Sequence, residues 1–378
     1  APSVAFPQGR SAYATMNVVM NRAPYGGSLQ LRYTEPARAL ASTIELSADS
    51  WFDDDPADYP LSYSFSYGLA SAGAGNAIDL GRRSFAKSAL LIKPEAGNFI
   101  LYCYVYDSFL ASATSARELL VLEAAPLTAA ATAALTGDVR RQLDEGNPDG
   151  GAQLIGAVAS TFNAQANTTS SNMRRLSEAE GGLSTEAKAA TRAALMQTVV
   201  QISGSAVNNP DPVKTKQTTM VIGSLMGAPE EQTGEAQDRG LNLLTGLLTA
   251  TRARGQQMEN GTAQAMLAAT TGMIKGNNHN VQEARRRRRM RRLSEASTDS
   301  EASTGSPTFA NGSTIPSGTW TQADEEDAAL IEAARARSIR LAQTATRDVS
   351  ATLLQGLTPG EAPVAIIADG LAQAVGRV

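Results

Sequence analysis

The stretch Tyr59-Pro60-Leu61-Ser62-Tyr63-Ser64-Phe65-Ser66-Tyr67 decides the first half of the fold. Leu61, Tyr63, Phe65 and Tyr67 alternate with serines, and a period of two puts large side chains on one face of a strand. Working outward, Ile44, Leu46 and Ala48 alternate with Glu45 and Ser47 in the same way. Phe99, Leu101, Cys103 and Val105 point opposite to Tyr102, Tyr104 and Tyr106, and Leu119 to Leu122 adds a short run. Pro, Gly, Asp and Ser clusters separate these segments with no helical pattern between them, which predicts an antiparallel β-sandwich of about 100 residues. Its expected core is Trp51, Leu61, Tyr63, Phe65, Leu101 and Val105.

From Pro126 onward the period becomes helical. Leu154, Val158 and Phe162 are spaced by four, and Leu195, Val199 and Ile202 follow the i, i+4, i+7 pattern of one buried face. Helices are expected near 128–143, 151–166, 185–204, 212–226, 230–254, 261–275 and 322–355. Ser184 before Glu186, and Asp211 before Pro212, supply start signals, while Thr321 with Asp324 resembles a capping box. Breaks fall at Gly181-Gly182, Asn208-Asn209-Pro210, Gly227 and Gly356. The fold class is therefore α+β and multidomain, an N-terminal antiparallel β-sandwich followed by an all-α helical array. Residues 1–17 read as the end of a preceding segment, 18–125 as the sandwich and 126–357 as the helices. Residues 358–378 read as the start of a following β subdomain. Two polar inserts, 166–182 and 276–319, interrupt the helices and carry nearly the same octet, Met173 to Glu180 and Met290 to Ser297. The flanks differ, so this is a recurring loop motif and not a structural repeat.

Composition excludes several classes of function. The 378 residues are 42% hydrophobic and 5% aromatic, with a formal charge of −4. An acidic chain has no global field drawing it to nucleic acid or anionic lipid. One His and one Cys cannot build a zinc site, and no cofactor is expected. A nucleophile relay would need His279, which lies in the turn-like polar stretch Gly276-Asn277-Asn278-His279-Asn280 and reads as a solvated loop histidine. Cys103 reads as a buried strand residue. With no clustered acid, base, metal or nucleophile, the chain is not expected to be an enzyme. No run of 18 apolar residues exists, so any membrane attachment is expected through parts outside this chain. Ala1-Pro2-Ser3-Val4 lacks an initiator Met and a leader pattern, and reads as a processed chain or a fragment of a longer one.

Four features carry candidate chemistry. Asp53, Asp54, Asp55 and Asp58 offer carboxylates to Ca²⁺ at one end of the sandwich, but without EF-hand spacing, so an acidic solvated turn is the first reading. Asn167, Asn260 and Asn311 head glycosylation sequons, of which about three would arise by chance in such a composition. Arg285 to Arg289, with Arg291 and Arg292, reads first as a solvated, mobile loop. It also offers Arg288, Arg289, Arg291 and Arg292 to subtilisin-like processing proteases; binding of nucleic acid or an acidic glycan is the third reading, and on the balance of the acidic chain nucleic acid is not expected as a partner. Arg174-Arg175-Leu176-Ser177 and Arg291-Arg292-Leu293-Ser294 match the Arg-Arg-x-Ser form of basophilic kinase sites, which would matter only in the cytosol.

Asn21-Arg22-Ala23-Pro24-Tyr25-Gly26-Gly27-Ser28, Ile44-Glu45-Leu46, Trp51-Phe52-Asp53-Asp54-Asp55-Pro56 and Tyr59 to Phe65 follow one another in an order that resembles the receptor for egg jelly (REJ) region of polycystin-1-like proteins. Val105-Tyr106-Asp107 resembles a later Val-x-Asp strand of that family. The resemblance implies a fibronectin type III-like sandwich followed by a GAIN-type helical layer, with Pro359 to Ile367 resembling the entrance to a β subdomain. The family's self-cleavage tripeptide is absent, and where animal relatives often place cysteines in the sandwich this chain has only Cys103. The resemblance further implies a non-enzymatic extracellular or cell-surface ectodomain, acting in adhesion, ligand sensing or assembly on a cell or ciliary surface. Expected partners are other protein chains at a cell or ciliary surface, a polycystin-type channel subunit among them. The alternative is a structural subunit of a secreted filament or matrix.

Overall fold

The computed structural model describes residues 3–5, 11–13, 20–72, 77–123, 127–168, 183–208, 210–256, 258–301, 322–352, 364–368 and 371–375. Strands β1 (Ser3–Ala5) and β2 (Ser11–Tyr13) form a short antiparallel pair. The sandwich follows as β3 (Ser28–Arg32), β4 (Thr43–Asp49), β5 (Ser62–Leu69), β6 (Ile78–Asp79), β7 (Ser88–Ile92), β8 (Gly97–Tyr106) and β9 (Ser112–Val121). One sheet has the order β3-β4-β7 and the other β6-β5-β8-β9, all antiparallel. In the register Tyr63↔Val105, Phe65↔Cys103 and Tyr67↔Leu101, every named residue is buried between the sheets. Ile44, Leu46, Leu91 and Phe99 close the core from both faces. Trp51 differs from the others: it is half-buried and packs on the margin of this cluster. Its ring lies over Gly27, where a Cβ would stand 2.3 Å from a ring carbon, so only glycine admits the indole there.

The helical half comprises α1 (Ala129–Asp144), α2 (Pro148–Thr168), α3 (Thr185–Asn208), α4 (Pro212–Leu225), α5 (Gly234–Ala253), α6 (Asn260–Glu301) and α7 (Gln322–Gln343), the last running on through a π turn at Thr344–Val349. Starts are capped as their residues dictate, with the side chains of Thr128, Ser184, Asp211 and Thr233 accepting backbone N–H groups of the first turn. Leu154, Phe162, Leu195, Val199, Ile222, Leu244 and Met266 meet in one core. A final pair, β10 (Val364–Ala368) and β11 (Leu371–Val375), is antiparallel.

The 276–319 insert is not a loop over its first part. Residues 276–301 continue α6 without a break, so the arginine run and His279 are helical. Two forces outweigh the turn chemistry of Gly276-Asn277-Asn278. Arginine is a good helix former, and each like-charge pair costs only ~0.2–0.5 kcal/mol. The same helix also buries Asn277 and Ala284 completely, and Arg291 pairs with Asp327 of α7. The rest of that insert, 302–319, and 169–182 of the other lie outside the described residues, as do Thr321 and Gly356.

Sandwich and helices meet along a polar and apolar seam. Ile92 N–H donates to Gln153 Oε1 at 3.1 Å, Lys93 pairs with Asp138, and Arg82 meets Asp211 at 2.8 Å. Leu40, held at φ 58° in the β3–β4 loop, is buried with the helical core instead of with its own sandwich. A non-glycine residue in the left-handed region costs roughly 1–2 kcal/mol. Burying a leucine returns about 1.5–3 kcal/mol, so the strained loop is held by what it inserts into.

Candidate functional site

The registers Ser28↔Asp49, Ser62↔Tyr106 and Tyr106↔Ser112 bring the segments 20–27, 50–61 and 107–111 to one pole of the sandwich. The loops 33–42 and 93–96 lie at the other pole, beside the helices, where Leu40 N–H donates to the Pro94 carbonyl. The free pole holds the acidic residues singled out in the sequence, and the structure separates them. Asp53 and Asp58 come together with Asp107, one carboxylate oxygen from each lying within 4.8 Å of the others. Asp54 turns away to accept the Tyr25 hydroxyl at 2.6 Å and to face Arg22 at 3.5 Å. Asp55 caps the short turn Pro56–Asp58 through Ala57 N–H.

Asp107 is the member that sequence reasoning missed. It was visible only as the third residue of Val105-Tyr106-Asp107, and its partners are far away in sequence. Its Oδ1 accepts the N–H groups of Phe109 and Ala111, each at 2.9 Å, and its Oδ2 accepts Asn21 Nδ2 at 2.7 Å. Those three donors fix the 107–111 loop and leave few lone pairs for a cation. The four aspartates named from the sequence therefore do not form a single ligand set.

Asp58 is 5% exposed. Burial first, then a hydrogen bond shared with Asp53, then the charges of Asp53, Asp55 and Asp107, hold its carboxyl up at about 6. Asp53 Oδ2 is buried with no donor, and a proton on Asp58 supplies one to that carboxylate. Linkage fixes the sign: the folded state holds this proton to higher pH than the unfolded chain does, so Asp58 lowers stability as pH rises from about 4 through about 6. Asp58→Asn should flatten that part of the stability-pH profile and be more stable than the parent at pH 7. Chemical denaturation at a series of pH values checks this, and an unchanged profile refutes the shared proton.

Around the carboxylates stands an apolar rim. Met20, Tyr25, Phe52, Tyr59, Phe109 and Leu110 are 44–80% exposed, and an open cleft of 590 Å³ runs between Met20, Arg22, Asp53 to Asp58 and Phe109. Large side chains left this open on one end of a domain mark a contact surface. A second cleft, 410 Å³, lies at the helical seam over Tyr63, Phe65 and Leu80, with Arg82, Asn147 and Gln153 around it. Gln153 and Arg82 are engaged there in joining the two halves.

The remaining candidates are scattered. Cys103 is fully buried, and burial pushes its thiol up to about 12, which leaves it inert. His279 is half-buried on α6 with Nδ1 unpartnered. Arg288, Arg289, Arg291 and Arg292 all lie within α6, where Arg288 and Arg291 are half-buried, so a protease needing an extended substrate must first unwind the helix. Asn167 lies in the last turn of α2 and Asn260 begins α6. Asn311 and Arg174 to Ser177 lie outside the described residues.

Residues 4–157 match the family model of the REJ domain. That span takes in the sandwich, α1 and the first half of α2, and so includes the Ile92–Gln153 and Lys93–Asp138 contacts of the seam. No curated protein is significantly similar to the chain. Among solved structures, the PKD1 domain of Vibrio anguillarum Epp is 20% identical over 28% of this chain and 100% of its own length, with a TM-score of 0.19. A likeness at that score carries no weight beyond its statement.

Proposed function

We propose that the chain, whose residues 4–157 match the REJ domain, a module of polycystin-1-like proteins, is a non-enzymatic extracellular segment of such a protein, acting in adhesion, ligand sensing or assembly at a cell or ciliary surface. The observation that supports this reading is the free pole, where an apolar rim and carboxylates remain open at the end of the sandwich remote from the helices. A surface held rigid by β-ladders and anchored loops is suited to contact, since little ordering is left to be done on binding. The helical array, read as a GAIN-type layer, serves as the base on which the sandwich is fixed through the Leu40 insertion and the seam bonds. No helix among the described residues is long and apolar enough to cross a membrane.

Antibody raised to this chain should label intact, unpermeabilised cells, and peptide mapping of the native protein should find glycan on at least one of Asn167, Asn260 and Asn311. Labelling only after permeabilisation, with bare asparagines and phosphate on Ser177 or Ser294, would place the chain in the cytosol and end the ectodomain reading.

A further inference from the structure

The arginine run of α6 and the acidic pole of the sandwich are opposite in sign, and the other dense acidic run, Asp324 to Asp327, lies on α7, where Asp327 already pairs with Arg291. On α6, Arg285, Arg286 and Arg289 are exposed, and with Met290 they span ~140° of the helix surface. Arg288 and Arg291 are turned inward to partners of the chain itself, Arg291 to Asp327. Among the described residues Arg286 is paired with Glu283, 3.6 Å away on its own helix and itself partly exposed. From Arg285 to Arg291 the helix thus sorts the arginines into a packed side, Arg288 and Arg291, and an open one.

We propose that the acidic, aromatic-rimmed pole of one copy of this chain receives the arginine ridge of α6 of a second copy, in a head-to-tail contact. The chemistry of the two surfaces matches group by group. Guanidinium groups pair with carboxylates through two parallel hydrogen bonds and lie on aromatic faces, and the pole offers both at once, Asp54 and Asp55 beside Tyr25, Phe52 and Tyr59. The same sandwich already makes such a stack internally, with the Arg83 guanidinium 4.9 Å over the Tyr106 ring. Exposed Met290, at the edge of the ridge, is an apolar complement to Met20 and Phe109 in the 590 Å³ cleft. A polyanion would satisfy the ridge and leave the pole uncovered, and a basic peptide would do the reverse. A second copy accounts for both with one contact. Arg22, paired with Asp54, is the pole's opposing cation and must swing aside or share its carboxylate.

Since ridge and pole are different surfaces, on the helical half and on the sandwich, the contact is heterologous and each copy keeps one free end. The assembly then grows as an open chain unless its rotation happens to close a ring. This inference rests on the reading of the pole as a contact surface and deepens it by naming the partner.

The test is sedimentation velocity of the full chain at about 0.05 M and about 0.3 M salt, either side of the range in which exposed charges become screened. Concentration-dependent growth at low salt that disappears at high salt is expected. Two charge-reversed variants complete it, one carrying Asp54→Lys and Asp55→Lys, the other Arg285→Glu and Arg289→Glu. Each alone should associate at least about tenfold more weakly than the parent, a difference of ~1.4 kcal/mol. Mixed in equal amounts they should associate again, because each reversed pole then faces a reversed ridge and each native pole a native ridge. Circular dichroism of each variant confirms that it is folded. A parent that stays monomeric at low salt overturns the proposal, as does a folded variant that associates like the parent or a mixture that does not recover. Binding to heparin by the parent without self-association would assign the ridge to a polyanion and likewise overturn it. A monomeric chain that still labels the surface of intact cells removes this inference and leaves the proposed function standing. Absence of label removes that reading instead.

Discussion

Arg192→Ala should lower the stability of the helical half by about 3–5 kcal/mol, because it leaves a buried charge without its partner. Arg192 is 1% exposed in α3, and every nitrogen of its guanidinium is engaged. Nε donates to Glu231 Oε2 at 2.8 Å, Nη1 to the carbonyls of Ser224 and Leu225 at 3.1 and 3.0 Å, and Nη2 to Asn163 Oδ1 at 2.8 Å. The Phe162 ring lies 5.5 Å from the guanidinium carbon. One side chain thus joins α2, α3, the end of α4 and the turn before α5. Burial pulls its pKa down, and the charge and hydrogen bond of Glu231 push it back up. Lys188, 3.8 Å from Glu231, softens the loss but reaches none of the carbonyls. Arg192→Lys should recover less than half of the loss, since an ammonium cannot present the planar fork that four acceptors require. The double change Arg192→Met with Glu231→Gln removes both charges and should be much milder than Arg192→Ala. Denaturant unfolding followed by helical circular dichroism measures all three, and a loss below about 1 kcal/mol for Arg192→Ala would show that the buried pair does not hold the layer.

Arg192 also marks where the sequence stops being legible. Local rules act over a few residues, and they carried the alternation of Tyr63, Phe65 and Tyr67 and the caps at Ser184 and Asp211 into the fold with little change. Arg192 stands three, four and seven positions before Leu195, Met196 and Val199, on the buried stripe of α3, and that placement was the available signal. An arginine within an apolar stripe requires an acid from elsewhere, but nothing local points to Glu231, 39 residues away. The acidic pole failed in the same manner: Asp53 and Asp58 were found because they are neighbours in the chain, and Asp107 was not. Trp51 was placed in the core by residue type alone, whereas its depth is set by Gly27 on another strand entrance. The arginine run shows the opposite error. Charge repulsion and Gly-Asn chemistry favoured a loop, and the packing that overrules them comes from α7 and from the turn at Pro229–Glu231.

The glycines of α6 bear the second large effect. Gly272→Ala should destabilise by about 3 kcal/mol, although alanine is the better helix former by roughly 1 kcal/mol. A Cβ at position 272 would stand 2.4 Å from the carbonyl oxygen of Met226, a backbone atom that cannot rotate away. Moving α6 outward to make room would break the bonds by which Gln232 Nε2 ties Met226 O at 2.7 Å to Gly272 O at 3.0 Å, and would leave buried carbonyls unpaired. One turn later a Cβ on Gly276 would meet Gln232 Oε1 at 2.1 Å, so the same turn is clasped twice. Gly223→Ala in α4 is the matched control. Its Cβ would lie 3.8 Å from Ala269, an ordinary contact, so the helix preference prevails there and the change should stabilise by roughly 0.5–1 kcal/mol. Two identical substitutions with opposite signs separate close approach from helix propensity, and thermal unfolding of the pair measures both. If Gly272→Ala proved as harmless as Gly223→Ala, α6 would not be seated against the Met226–Gln232 turn. Its arginine-bearing half would then lose the packing that made it a helix instead of a loop.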